Sequence, residues 1–184
     1  MTDRRRALAR TAWRTVSTRQ VYANPWIRLR EDVAELPDGR TTLYGVVECK
    51  PCVGVLPFLD ARTVVLVGQY RYVTRAFSWE MPTGAMQPGE GEEAAVQREL
   101  AEEAGYEAER LVKLCAFDSS KSVMEERANI YLAEGLRPVV READATEFIE
   151  VRAFAFDEVL RMVETSEIVD AMTVVAVLHA ARRR

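Results

Sequence analysis

The stretch Gly84-Ala85-Met86-Gln87-Pro88-Gly89-Glu90-Gly91-Glu92-Glu93-Ala94-Ala95-Val96-Gln97-Arg98-Glu99-Leu100-Ala101-Glu102-Glu103-Ala104-Gly105-Tyr106 decides how the rest of the chain is read. From Gly91 to Ala104 it consists of helix formers, with Pro88-Gly89 before and Gly105 after as start and stop signals, so it predicts a helix. At about 100° per residue, Glu99 and Glu103 lie one turn apart with Glu102 on the same side, and Val96, Leu100 and Ala104 form an apolar stripe beside them. Packing that stripe against a sheet would hold three carboxylates in a fixed direction. Like charges one turn apart, crowded at the C-terminal end of a helix, disfavour it by a few tenths of a kcal/mol per pair. A hard divalent cation reverses that sign, because carboxylate oxygens suit Mg²⁺ or Mn²⁺. Arg98, beside the same face, can orient a carboxylate or meet a phosphate oxygen, and Gly84 permits a close backbone approach.

Working outward, the segments before and after the helix read mainly as strands. Val21 to Val47 alternates and carries Pro37-Asp38-Gly39 at its turn, which predicts a hairpin. Val53–Leu59 and Val64–Tyr70 are apolar runs joined by Asp60-Ala61-Arg62, a length suited to antiparallel neighbours. Leu111–Phe117, Ala128–Ala133 and Phe148–Val151 follow as strands; then come a helix capped by Asp157 and ending near Glu164, and a last one over Val169–Ala181. The sum predicts a mixed α/β (α+β) fold with a sheet between helices. We expect residues 1–50 to form an N-terminal extension with the hairpin, and residues 51–184 the main domain.

The 184 residues, 48% of them apolar and 29% charged, exclude a disordered or low-complexity chain. No apolar run approaches the roughly 18 residues of a membrane span, and no signal-peptide core follows the Arg-rich start, so a soluble, cytoplasmic protein is expected. The net charge is −4 although eight arginines crowd the two ends, so the body is more acidic still. An acidic body repels a nucleic-acid backbone, and an anionic substrate would need a cation to mediate. Three cysteines make a poor disulfide framework and suit a reducing compartment. Cys49 and Cys52 have redox-motif spacing, but a strand rather than a helix follows them, and only Cys115 and His179 could complete a zinc site, so they read as ordinary thiols.

A solvated face is the ordinary meaning of a Glu-rich helix. Here, however, Gly84, Glu90, Arg98, Glu99, Leu100, Glu102, Glu103 and Gly105 stand at the spacing G-x5-E-x7-R-E-U-x-E-E-x-G-U, where U is aliphatic and only Tyr106 departs. The chain therefore resembles the Nudix hydrolases. Gln69-Tyr70-Arg71, Trp79-Glu80-Met81-Pro82-Thr83-Gly84 and Ile168-Val169-Asp170-Ala171-Met172-Thr173 are similar to the ADP-ribose pyrophosphatase branch.

The resemblance implies an α/β/α sandwich around a mixed sheet and hydrolysis of a nucleoside diphosphate linked to another moiety, with Mg²⁺ or Mn²⁺. It makes Glu99, Glu103 and Glu102 metal ligands, with a backbone carbonyl at Thr83 or Gly84 completing the site. Arg98 and Glu102 join the catalytic set, and Arg71, Glu80, Glu126 and Trp26 contact substrate. The general base comes from an acidic loop before a late strand, where Glu142, Asp144 and Glu147 lie; Glu147 is chosen because it abuts the strand. The branch also implies a homodimer built through the N-terminal hairpin. ADP-ribose, cleaved to AMP and ribose 5-phosphate, leads; the loop Ser119–Arg127 lacks the proline common in that branch, so GDP-mannose or another nucleotide sugar, or nucleotide binding without cleavage, stay open.

Overall fold

In the computed structural model, residues 10–140 and 148–183 are described. They form two compact units: one holds the described residues up to Lys50 with Asp118–Glu126, the other Pro51–Phe117 with the described residues from Arg127 onward.

The first unit is a four-stranded sheet in the order β1-β2-β3-β9. Its strands are β1 (Arg14–Ala23), β2 (Arg28–Glu35), β3 (Thr41–Glu48) and the short β9 (Met124–Glu125). The expected hairpin is thus the second half of an antiparallel meander, and β9 joins β3 in parallel. β1 escapes the alternation argument because it is exposed at every position, so no buried face patterns it. Ion pairs cross this sheet instead: Arg14–Glu35, Arg19–Glu31 at 2.9 Å, Arg28–Glu48 and Arg30–Glu48, with Arg30 also paired to Asp32 along β2.

The second unit is built on strands buried on both faces. β4 (Cys52–Pro57) is buried at all its residues and pairs in parallel with β10 (Arg127–Pro138), Cys52 standing opposite Ala128. With β7 (Thr83–Ala85) and β8 (Tyr106–Asp118), whose last residue falls in the first unit, they make a mixed sheet ordered β7-β4-β10-β8. β5 (Thr63–Arg71) lies in a separate sheet between β6 (Ala76–Glu80) and β11 (Glu150–Ala155). The antiparallel connection expected between Val53–Leu59 and Val64–Tyr70 is therefore only a single bridge, Phe58 to Val64, after which the two strands part into different sheets.

Strand alternation sorts the core into two layers. Val53, Val55, Val65, Val67, Tyr131 and Ala133 pack with Ala95, Val96, Leu100 and Ala104 of helix α1 (Glu92–Ala104). Leu56, Val64, Leu66, Ile130 and Leu132 pack on the other side with helices α2 (Phe156–Glu164) and α3 (Ala171–Ala181). α1 ends at Gly105, whose φ of 73° is the left-handed C-cap that glycine adopts without a Cβ penalty. α2 begins one residue before Asp157: β11 runs straight into it, Ala155 is the N-cap, and Asp157 contributes only to the first-turn charge. α3 starts two residues later than expected, capped by Asp170, which accepts from Thr173 N at 2.8 Å.

Candidate active site

α1 is fixed at several points along its length. Glu92 accepts from Tyr131 Oη at 2.6 Å and from Lys113 Nζ, tying the first turn to β10 and β8. The Gln97 side chain both donates to Ala108 O (2.7 Å) and accepts from Ala108 N (3.0 Å), as a neighbouring strand would. With the apolar stripe buried beneath it, the helix cannot rotate, and its acidic face has one direction.

On that face Glu99 and Glu103 are 8% and 7% exposed. Burial on this scale requires partners for the carboxylates. Thr83 N donates to Glu103 Oε2 at 3.0 Å. Gly84 approaches Glu99 so closely that a Cβ there would fall 1.9–2.3 Å from the carboxylate atoms, so glycine makes room for the acid. The elements responsible are α1 and the β7 segment, held beside β4 by the pairing of Gly84 with Val53.

Arg98 joins the remaining acids. Its Nε and Nη2 donate to the two oxygens of Glu90, each at 2.9 Å, Nη1 donates to Glu99 at 2.7 Å and to Glu102 at 3.2 Å, and Nη2 also reaches Ala85 O at 3.1 Å. Every nitrogen of the guanidinium is thus engaged by protein acceptors, which makes it an orienting group. The hydrogen bond from Arg98 holds the Glu90 carboxyl well below the ordinary range, at about 2, with Gln87 N assisting at 2.9 Å. Reciprocally, Glu90 first and then Glu99 raise the Arg98 pKa.

Arg71 and Glu80 form a bidentate pair, Nε lying 3.0 Å from Glu80 Oε2 and Nη2 on the same oxygen. Glu80 is buried and Arg71 half-exposed. The hydrogen bond to Glu80 raises the Arg71 pKa most, and the charges of Glu103 and Asp170 add to it. Trp26 and Glu126 belong to the first unit. Trp26, 76% exposed, stands in the turn between β1 and β2, where Asn24 Oδ1 accepts from Trp26 N and Ile27 N. Ser119 N donates to Glu126 O at 3.1 Å, closing the loop that carries Glu126. Glu142, Asp144 and Glu147 fall outside the described residues.

Among the described residues, no three His, Cys, Asp or Glu side chains stand close enough to enclose an ion as they are. The position of positive charge between Glu99 and Glu102 is held by Arg98 Nη1. The donor set is nonetheless hard oxygen throughout, which suits a small oxygen-seeking divalent cation, and Gly84 leaves the room that the Glu99 carboxylate fills. Cys52 is buried and Cys49 and Cys115 half-buried, with burial pushing both of the latter thiols up.

Sequence reasoning placed the acids on one face but missed how they are held. The Thr83 amide on Glu103 and the Glu90–Arg98 clasp join a strand and a loop to a helix, and helical periodicity carries no information across that boundary.

Residues 13–47 match the nucleoside diphosphate sugar hydrolase N-terminal domain, and residues 50–172 match the NUDIX domain. The chain is 33% identical to an ADP-ribose pyrophosphatase of Bacillus subtilis, over 90% of this chain and 91% of that protein. It is 32% identical to a methanol dehydrogenase activator of Bacillus methanolicus over the same shares, and 27% identical to an ADP-sugar pyrophosphatase of Mus musculus over 84% and 79%. A crystal structure of an ADP compounds hydrolase shares the fold, with a TM-score of 0.84 at 21% identity, covering 94% of each chain.

Proposed function

Because the chain belongs to the Nudix hydrolase family, we propose that it cleaves the diphosphate of a nucleoside diphosphate sugar, first of all ADP-ribose to AMP and ribose 5-phosphate. One observation carries the reading: two glutamates more than nine-tenths buried, Glu99 and Glu103, are pressed against the backbone of Thr83 and Gly84. The cost of burying such charges is one that a fold built only for stability would avoid. The relatives named as ADP-ribose and ADP-sugar pyrophosphatases supply the substrate class.

Divalent-metal dependence is general in the family, and Mg²⁺ or Mn²⁺ bound here would neutralise the diphosphate and lower the pKa of the attacking water. Glu99 and Glu103 would hold the ion, with Glu102 and a carbonyl at Thr83 or Gly84 as further donors. Arg98, hydrogen-bonded to both, keeps Glu99 and Glu102 in register. Arg71, whose Nη1 lies outside its pair with Glu80, meets a phosphate oxygen, and Glu80 keeps that guanidinium aimed. Glu147 takes the proton of water as its oxygen bonds to phosphorus and the bridging P–O bond breaks. Trp26 stacks on the base, and Glu126 contacts the substrate.

The test is Glu103→Gln, nearly isosteric and uncharged. Mg²⁺-dependent release of AMP from ADP-ribose, followed by chromatography, should fall more than about a hundredfold while the thermal melt stays cooperative. Undiminished turnover would overturn the reading, and calorimetric binding of ADP-ribose by the unaltered protein without product in Mn²⁺ would mark a binding module instead.

The same reading makes residues 1–50 a dimerisation element. Its support is β1, exposed along its whole length and carrying Val16, Val21 and Tyr22, with Trp13 just before it. Light scattering at micromolar concentration should give twice the monomer mass, and a monomer would refute this. No helix of the described residues is long and apolar enough to cross a membrane, and the cytoplasm is the compartment we propose.

A further inference from the structure

The segment Met81–Gly84 crosses from one helical layer of the second unit to the other. Met81 is fully buried in the layer of α2 and α3, where its side chain packs over Gly54. Two residues on, Thr83 and Gly84 meet Glu103 and Glu99 on α1, in the opposite layer. Between them Pro82 O accepts from Val55 N at 3.0 Å, which fixes the crossing to β4. On the far side the fixed point is the start of α3. Met81 N donates to Thr173 Oγ1 at 3.0 Å, and Thr173 Oγ1 donates to Asp170 Oδ2 at 2.7 Å. Asp170 Oδ2 also accepts from Thr173 N, so one carboxylate oxygen caps the helix and orients the hydroxyl together. Thr173 has no exposed surface, and water cannot replace it as the acceptor for Met81 N.

We propose that Thr173 and Asp170 are positioning residues of the active site: the N-cap of α3, through Met81, sets the backbone against which Glu103 and Glu99 are seated. A cap alone needs only the backbone N–H of Thr173; the hydroxyl and its aim at Met81 are surplus to capping. The inference rests on the diphosphatase reading for its functional meaning and on the relay for its geometry. Groups that orient metal-binding side chains typically govern affinity by about 10–100-fold when removed.

Thr173→Val keeps shape and removes the relay, Thr173→Ser restores the hydroxyl, and Val159→Ala, at a fully buried position of α2, is a control destabilised away from the site. Two readouts are taken on the full chain. Mn²⁺ affinity by calorimetry should fall about tenfold or more in Thr173→Val, return to within about threefold of the unaltered protein in Thr173→Ser, and hold in Val159→Ala. Exchange of the Thr83 amide, which the relay protects through Glu103, should quicken at least about tenfold in Thr173→Val and not in Val159→Ala. Thr83 exchange and Mn²⁺ affinity that are unchanged in Thr173→Val, or that change equally in Val159→Ala, overturn the proposal. If the unaltered protein neither binds Mn²⁺ nor cleaves a nucleoside diphosphate sugar, the diphosphatase reading falls, and the exchange result alone decides the relay. Should Thr173→Val not fold, Thr173→Ala, which likewise takes the hydroxyl away from Met81 N, replaces it with the same thresholds.

Discussion

β1 of the first unit and β4 of the second are strands of ordinary length that are stabilised in opposite ways. β1 is exposed at all of its residues and is tied to β2 by backbone hydrogen bonds and the pairs Arg14–Glu35 and Arg19–Glu31. β4 is buried at all of its residues, with Val53 and Val55 packed toward α1 and Leu56 toward α2 and α3. Exposed pairs contribute about 0–1 kcal/mol each, whereas a buried aliphatic side chain contributes about 1.5–3 kcal/mol. The difference teaches where this chain concentrates rigidity: in the unit that must keep two buried carboxylates in place.

The sharpest way to break the comparison is Leu56→Ala. Leu56 has no exposed surface, and the cavity should cost about 2–5 kcal/mol, read as a fall in the urea midpoint, while any single alanine on β1 should cost far less. A loss below about 1 kcal/mol would mean that the two sheets are equally tolerant.

The next effect is a pH dependence that belongs to the second unit. Glu90 titrates at about 2 in the fold, below its ordinary 4.5, because of Arg98. A depressed carboxylate contributes stability that is complete above pH ~4.5 and lost as pH falls toward ~2. Melting temperatures between pH 2 and 6 should therefore fall less steeply in Glu90→Gln than in the unaltered protein, and identical slopes would refute the clasp.

The smallest effect sharpens the other side. A double-mutant cycle on Arg19 and Glu31, which are about two-thirds and one-third exposed, should give a coupling of about 0.2–1 kcal/mol in low salt that fades at about 1 M. A salt-independent coupling would show that the first sheet is less solvated than its exposure indicates.

The same contrast explains what could be read from residues alone. α1 was legible to within a residue, because helix formers, an apolar stripe and a terminal glycine all agree there. β4 and β5 were legible as buried runs, but their division between two sheets was not, because alternation reveals a strand's faces and not its neighbours. β1 is not legible as a strand of its own, since a strand without a buried side leaves no period-two signature. At the site, Glu99, Glu102 and Glu103 were legible from helical spacing. The donors that hold them come from Thr83 and from the far cap at Asp170, and these contacts depend on tertiary folding.

The parallel pairing of β4 with β10 has a consequence for biosynthesis. Cys52 emerges from the ribosome long before Ala128, and until then the middle strand of the sheet has no partner on that side. Most of the second unit must be translated before its centre can close, an ordering of high contact order that slows folding and leaves a nascent apolar strand for chaperones to shield. A nascent chain halted before Ala128 would therefore hold its acidic helix against β4 and β5 without β10 to complete that layer, and catalytic competence should switch on only late in translation.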